Sequence, residues 1–307
     1  MKCSKCGREA IIFQRYSGLH LCEMHFNRDV EQKARRAIRK NKWIVNGDRI
    51  AVALSGGKDS SAVLYFMSKL LKDRPDVDLC AINIDEGIAG YRYPEKAKKI
   101  ADSLDVPFHS TSFSEEYGIT LDRIVELFGD RLSCTYCGIL RRTLMNRFAR
   151  NLGMTKIAFG MNLDDEAQSV MLNVLRGDER GLITKKNPHP MMVPRIKPFI
   201  HVPERDAALY AFIHTEDFDL EGCPYSYNAL RNDVRGLIDD YTSRHPSTKH
   251  SIVKLGEKLP ELCETNGKGL RICPECGEAC GDICRTCQII REVKKAGSGD
   301  SHPDSCI

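Results

Sequence analysis

The sequence predicts an α/β fold built on a parallel sheet, with a small cysteine-rich module at each end. Three observations carry this expectation. Runs of β-formers recur along the middle of the chain, helix-like amphipathic segments separate them, and cysteine pairs concentrate near both ends. Strands alternating with helices of about 10–15 residues indicate right-handed βαβ units, whose parallel strands are covered on both faces.

RIAVAL (Arg49 to Leu54) is a run suited to a buried strand, and SGGKDS follows it. SAVLYFMSKLLK (Ser61 to Lys72) has the apolar spacing of one helix face and is stopped by Pro75. VDLCAINI (Val77 to Ile84) is the second strand, Pro94 to Leu104 a helix, and VPFHSTSF (Val106 to Phe113) the third strand. Leu121 to Phe128 forms the next helix. After the pair Cys134 and Cys137, GILRRTLMNRFARNLG (Gly138 to Gly153) reads as a long basic helix. KIAFG (Lys156 to Gly160) is the fourth strand, leading through NLDDE into a helix over Ala167 to Arg176. In open parallel sheets, ligands bind beyond the carboxyl ends of the strands. SGGKDS, the loop after Ile84 and the GMNLDDE loop all lie there, so they converge on one candidate site.

Composition divides the chain into an N-terminal zinc finger (1–30), a catalytic domain (31–265), a C-terminal zinc ribbon (266–292) and a disordered tail (293–307). A net charge of +4 neither demands nor excludes an anionic partner, but its distribution is uneven. From Arg28 to Lys42, seven basic residues stand against two acidic ones, as a solvated helix face or as a helix that contacts phosphates. No apolar run reaches the ~18 residues of a membrane span, and the N-terminus lacks the apolar core of a secretory signal. The expected location is cytoplasmic, with no membrane partner. In a reducing compartment, most of fourteen cysteines arranged partly as C-x-x-C read as ligands or redox groups rather than disulfides.

SGGKDS (Ser55 to Ser60) joins a buried strand to a helix, where backbone N–H groups and the helix dipole favour a bound phosphate. Gly56 and Gly57 let the backbone curl around an oxyanion, and Ser55 and Ser60 add hydroxyl donors. Cys3, Cys6, Cys22 and His25 supply four soft ligands in two close pairs, the pattern of a structural zinc site. Cys273, Cys276, Cys284 and Cys287 form a second such set, with Cys280 left over. Cys134 and Cys137 lie inside the catalytic region without a second pair. With Cys223 they could hold an iron–sulfur cluster by three thiolates, leaving one iron open. A redox or persulfide pair and plain structural cysteines are the alternatives.

SGxxDS in this setting resembles the PP-loop ATP pyrophosphatases, which adenylate a carbonyl oxygen. The whole order resembles the TtuA/NcsA family of tRNA 2-thiouridine synthetases: Cys3, Cys6, Cys22, His25, then SGGKDS, then Cys134, Cys137, Cys223, then the last four cysteines. The resemblance implies a sulfurtransferase that binds ATP and Mg²⁺, two zinc ions, and a [4Fe-4S] cluster on Cys134, Cys137 and Cys223. It implies an ATP site of Ala53, Leu54, Ser55, Gly56, Gly57, Asp59, Ser60, Ile84, Arg141, Gly160 and Asp165. Asp59, Arg141 and Asp164 are the expected catalytic residues. The reaction it implies is adenylation of the uridine C2 oxygen, followed by sulfur transfer that gives 2-thiouridine, AMP and pyrophosphate. The implied partners are tRNA and a sulfur donor, either a ubiquitin-like thiocarboxylate protein or free sulfide, and family members commonly form homodimers. Wobble position 34 is the preferred target and T-loop position 54 the alternative, because T-loop thiolation is mainly a heat adaptation and this composition has no thermophile bias.

The basic stretches Arg28–Lys42, Arg141–Arg150 and the one at Lys185 then read as tracks for RNA phosphates. Two other functions compete: a tRNA cytidine thiolase of the same superfamily, and a zinc-based RNA-binding protein with an inactive ATPase.

Overall fold

The computed structural model describes residues 1–183, 189–262 and 270–297. Lys185, Cys263 and Cys306 lie outside the described residues.

A short hairpin, β1 (Ile12–Gln14) and β2 (Leu19–Leu21), leads into the long helix α1 (Glu23–Lys40). The expected boundary at residue 30 therefore falls inside a continuous helix. That helix buries Phe26, Val30, Ala34, Ala37 and Ile38 on one face, which ties the N-terminal module to the body.

The body contains β3 (Arg49–Ala53), α2 (Lys58–Leu71), β4 (Asp78–Asp85), α3 (Pro94–Ser103), β5 (Phe108–Ser112), α4 (Phe113–Tyr117), α5 (Leu121–Phe128) and α6 (Ser133–Asn151). It continues through β6 (Lys156–Phe159), α7 (Leu163–Leu175), α8 (Glu179–Ile183), β7 (Arg195–Ile196), α9 (Glu204–His214), α10 (Leu230–Arg244) and α11 (Thr248–Leu262). The C-terminal module is a two-stranded piece, β8 (Arg271–Ile272) with β9 (Ala279–Cys280), followed by α12 (Arg285–Gly297).

The sheet has the order β5-β4-β3-β6-β7, and all four pairings are parallel. The chain moves outward on one side of β3 and then returns to the other side with β6. Strand order thus reverses between β3 and β6, which opens a crevice at their carboxyl ends. The phosphate loop and Gly160 stand at that crevice.

Alternation along β3 shows why the sheet is covered on both faces. Ile50 and Val52 join a core with Phe66, Met67 and Tyr210, while Ala51 joins another with Ile82, Leu140 and Leu144. Burying each such aliphatic or aromatic side chain contributes about 1.5–3 kcal/mol.

Two further expectations change. The basic helix starts at Ser133 rather than after the cysteine pair, so Cys134 and Cys137 are helical, one turn apart on one face. Residues 293–297, expected in a loose tail, form the end of α12, with Val293 buried against the α6 side of the core.

Candidate functional site

β3 ends at Ala53, and the Leu54 carbonyl beyond it accepts a hydrogen bond from Asn83 Nδ2 at 2.7 Å. Gly56 has a φ of +78°, a left-handed turn that suits glycine. Ser60 Oγ donates to the Gly57 carbonyl at 2.9 Å and lies 3.2 Å from Ser55 Oγ, so the two hydroxyls face each other inside the turn. Buried Ile84 closes β4 beside it.

Gly160 sits at the end of β6 against the start of α2. A Cβ there would stand 2.7 Å from Ser60 N and 2.8 Å from the Asp59 carbonyl carbon. Glycine is therefore required for the strand to come this close to the phosphate loop.

Asn162 caps α7 by accepting from the Asp164 and Asp165 amides, both at 3.0 Å, and its Nδ2 donates to Asp59 Oδ1 at 3.2 Å. The two adjacent acids then part company. Asp164 is buried, and its oxygens accept from the Glu204 amide at 2.8 Å and from Lys249 Nζ. Asp165 turns toward Asp59, with Arg231 Nη1 at 3.6 Å from Oδ1. Burial pushes the Asp165 carboxyl above its usual range, and the nearby charge of Asp59 adds to that push. Asp164 thereby braces α9 and α11, while the Asp165 carboxylate accepts from the backbone N–H of Asn162, whose side chain bonds Asp59. Lys58 pairs with Asp59 at 2.6 Å and with Glu204 at 2.9 Å.

A strap crosses the loop from the other side. The Asp219 amide donates to the Gly56 carbonyl at 2.8 Å, and Asp219 also pairs with Lys96. Four residues later the strap reaches Cys223. Cys134 Sγ lies 3.6 Å from the Tyr225 carbonyl oxygen, and Tyr225 Oη donates to Asp122 at 2.7 Å. Cys137, Cys223 and Tyr225 pack against one core cluster. Arg141, one turn beyond Cys137, pairs with Glu86 at 3.0 Å at the end of β4. The strap bonded to Gly56 thus carries Cys223 four residues on, and Cys134 meets the same strap at Tyr225.

The terminal cysteines form two compact tetrads. Among the described residues, Cys3, Cys6, Cys22 and His25 make one, and Cys273, Cys276, Cys284 and Cys287 the other; the ligand atoms of each fall within 4.8 Å of one another. Tetrahedral zinc with Zn–S bonds of 2.3 Å places ligand sulfurs about 3.8 Å apart. The distances Cys6–Cys22, Cys273–Cys287 and Cys276–Cys284 are each 3.7 Å, which fits that ion. Cys280 stands outside its tetrad. Cys134, Cys137 and Cys223 belong to neither tetrad; three thiolates without a fourth are a donor set that suits a cluster with one iron left open.

The C-terminal module is clamped to α6 through Glu278, 3% exposed, which accepts from Arg150 Nη2 at 2.5 Å and lies 3.6 Å from Arg147 Nε. Arg147 and Arg150 are therefore held by acids, and the expected RNA track along α6 is mostly occupied. On α1, by contrast, Arg28, Arg36 and Arg39 are exposed.

Sequence reasoning missed Glu86, Asn162 and Arg92. Glu86 directly follows a predicted strand and had a positional signal; Arg92, in the β4–α3 loop, had none.

Comparison with known proteins agrees with this geometry. Residues 2–27 match the model of the 2-thiouridine synthetase TtuA N-terminal LIM domain, and residues 26–238 match the PP-loop domain. The tRNA 2-thiolation protein NcsA of Haloferax volcanii is 35% identical over 96% of this chain and 99% of that protein. The tRNA-5-methyluridine(54) 2-sulfurtransferase of Pyrococcus horikoshii is 33% identical over 99% of both. Among solved structures, the U34-tRNA thiolase NcsA from Methanococcus maripaludis with its [4Fe-4S] cluster matches with a TM-score of 0.82 and 33% identity, covering 94% of this chain and 95% of that one. No helix among the described residues is long and apolar enough to cross a membrane.

Proposed function

The chain belongs to the TtuA/NcsA family of PP-loop tRNA 2-thiolation proteins, and from that premise we propose that it replaces the C2 oxygen of a tRNA uridine with sulfur at the expense of ATP. It is a sulfurtransferase. One observation supports the reading most: the strap that bonds Gly56 through Asp219 carries Cys223 four residues on and meets Cys134 at Tyr225, which links the nucleotide loop to the three-cysteine group.

The residues divide the work by position. The amides at the start of α2, with Ser55 and Ser60, hold the phosphates. Asp59 and Asp165, side by side and acceptor-only when ionised, would hold Mg²⁺. The uridine C2 oxygen bonds to the α phosphorus while the bond to the leaving pyrophosphate breaks. Arg141, held in place by Glu86, would offset part of the charge that gathers on phosphate oxygens, a preorganised electrostatic role. Cys134, Cys137 and Cys223 would hold a [4Fe-4S] cluster, which when bound supplies an iron without a protein ligand for sulfide. The two terminal tetrads would hold zinc and keep α1 and α6 in place. Arg28, Arg36 and Arg39 on α1 face solvent and would meet tRNA phosphates.

Relatives named for positions 34 and 54 match at equal identity, so identity does not choose between them. Position 34 is our reading, because the composition carries no heat adaptation. Cytoplasmic location, homodimer formation and a thiocarboxylate or sulfide donor rest on the family resemblance alone.

The test is nucleoside mass analysis of tRNA after incubation with anaerobically prepared protein, ATP, Mg²⁺ and sulfide. The expected product is 2-thiouridine at position 34, with AMP and pyrophosphate. 2-Thiocytidine would select the cytidine thiolase. Absence of AMP would revive the RNA-binding protein.

A further inference from the structure

Of four cations set near the phosphate loop on the side of α3 and α6, three are neutralised. Lys58 pairs with Asp59 and Glu204, Lys96 with Asp219, and Arg141 with Glu86. The fourth, Arg92, has no acidic partner among the described residues, and its buried Nε makes no hydrogen bond. Leaving a buried donor unsatisfied costs free energy. The backbone adds a second cost, since Arg92 has a φ of +50°, in the left-handed region that L side chains seldom occupy.

Placement gives these costs a purpose. Arg92 Nη2 lies 3.1 Å, and Cζ 3.4 Å, from the point where a Cβ on Gly57 would stand. The guanidinium is therefore spread over the loop at the mouth of α2, where the helix amides point. Its cationic carbon lies 4.9 Å from the centroid of the Tyr91 ring, which steadies it without neutralising it. A planar guanidinium with free N–H groups fits the oxygens of a phosphate group in two-point fashion. Gly57 keeps the space between that fork and the loop backbone open.

We propose that Arg92 is the clamp for the β- and γ-phosphates of ATP and holds the pyrophosphate as it leaves. The proposal rests on the nucleotide-binding reading above. As the uridine oxygen bonds to the α phosphorus, the Pα–O bond breaks and its electron pair goes to the pyrophosphate oxygen. Arg92 lies where it can offset that charge, and it also stands near enough to Cys223 to act on its thiol. Gly57 would then be needed for Arg92 to reach the ligand as much as for the turn itself.

The experiment is calorimetric binding of ATP, inorganic pyrophosphate and AMP, each separately, to the anaerobic full chain without tRNA or a sulfur donor. Wild type is compared with Arg92→Gly, which accepts the left-handed backbone, and with Arg92→Lys, which keeps a charge but loses the fork. Arg92→Gly is expected to weaken ATP and pyrophosphate about tenfold to a hundredfold, the scale of charge-assisted hydrogen bonds, and to leave AMP within about twofold. Arg92→Lys should recover part of the loss. Unchanged pyrophosphate and ATP affinities would overturn the proposal, as would an equal loss for all three ligands, which would mark a structural role. Wild-type protein that binds ATP but never thiolates tRNA would overturn the function proposed above and leave the Arg92 result standing.

Discussion

Gly160→Ala is the substitution that probes the join between sheet and phosphate loop most sharply. The glycine is not in the left-handed region, so the penalty is steric. The added Cβ would lie 2.7 Å from Ser60 N and 2.8 Å from Ser60 Cα, both backbone atoms that cannot rotate away. Reaching ordinary contact requires the start of α2 to retreat by about 0.7 Å, against a core in which Val63, Leu64 and Met67 are fully buried. Overpacking of this kind costs about 1–3 kcal/mol. The same retreat moves the loop amides off the phosphates, and a misplacement near 1 Å can cost about a hundredfold in rate. The assay is ATP-dependent release of AMP with tRNA present, paired with thermal unfolding. We expect a melting temperature a few degrees lower and kcat/KM for ATP reduced at least tenfold. An alanine variant with wild-type melting and wild-type ATP kinetics would refute the close approach of β6 to the loop.

Three further outcomes are expected. Asp164→Asn should lower stability by about 1–3 kcal/mol in urea unfolding while keeping ATP binding, whereas Asp165→Asn should keep stability and lose turnover; the reverse pattern would restore Asp164 as the phosphate-side acid. Glu278→Ala leaves Arg150 without its acid, while Arg147 keeps Glu116 at 3.3 Å, and should destabilise the chain by about 2–3 kcal/mol, so a loss below about 1 kcal/mol would show that Glu278 is not the clamp on α6. A hydrogen bond from His201 holds the Glu257 carboxyl at about 2, with Lys40 adding to that effect against burial. Because the folded value is depressed, this stabilisation is present above the ordinary glutamate value and fades as pH falls toward about 2. The stability gap between wild type and Glu257→Gln should therefore narrow between about pH 5 and pH 2, and a constant gap would contradict the assignment.

β3, β4 and β6 were legible because each is a short apolar run between turn signals, buried on both faces of the sheet, whereas β5, at the edge, showed only through its β-branched and aromatic residues after Pro107. The metal tetrads were legible because their spacing is local. What sequence could not supply came from rotation and distance. Asp164 and Asp165 are neighbours in NLDDE, but successive residues on a helix point about 100° apart, so only the folded cap shows which one faces Asp59. The first turn of α6 carries Ser133, Cys134 and Thr135, which lack an apolar period, and the helix start was placed too late. The basic run on α6 looked free because its main counterion, Glu278, lies in the other module. The segment that carries Cys223 is tied to the loop by the Asp219 amide on Gly56, a backbone contact that no side-chain pattern encodes. Arg92 was invisible for the same reason, since its meaning lies in what it does not pair with.

The claim at the centre of the account is that the base is activated through its own oxygen. It is tested most directly with tRNA carrying ¹⁸O at uridine C2, ATP of natural abundance, and mass analysis of the nucleotide released. The account predicts that AMP carries one ¹⁸O for each uridine thiolated. Unlabelled AMP, with thiolation intact, would contradict it.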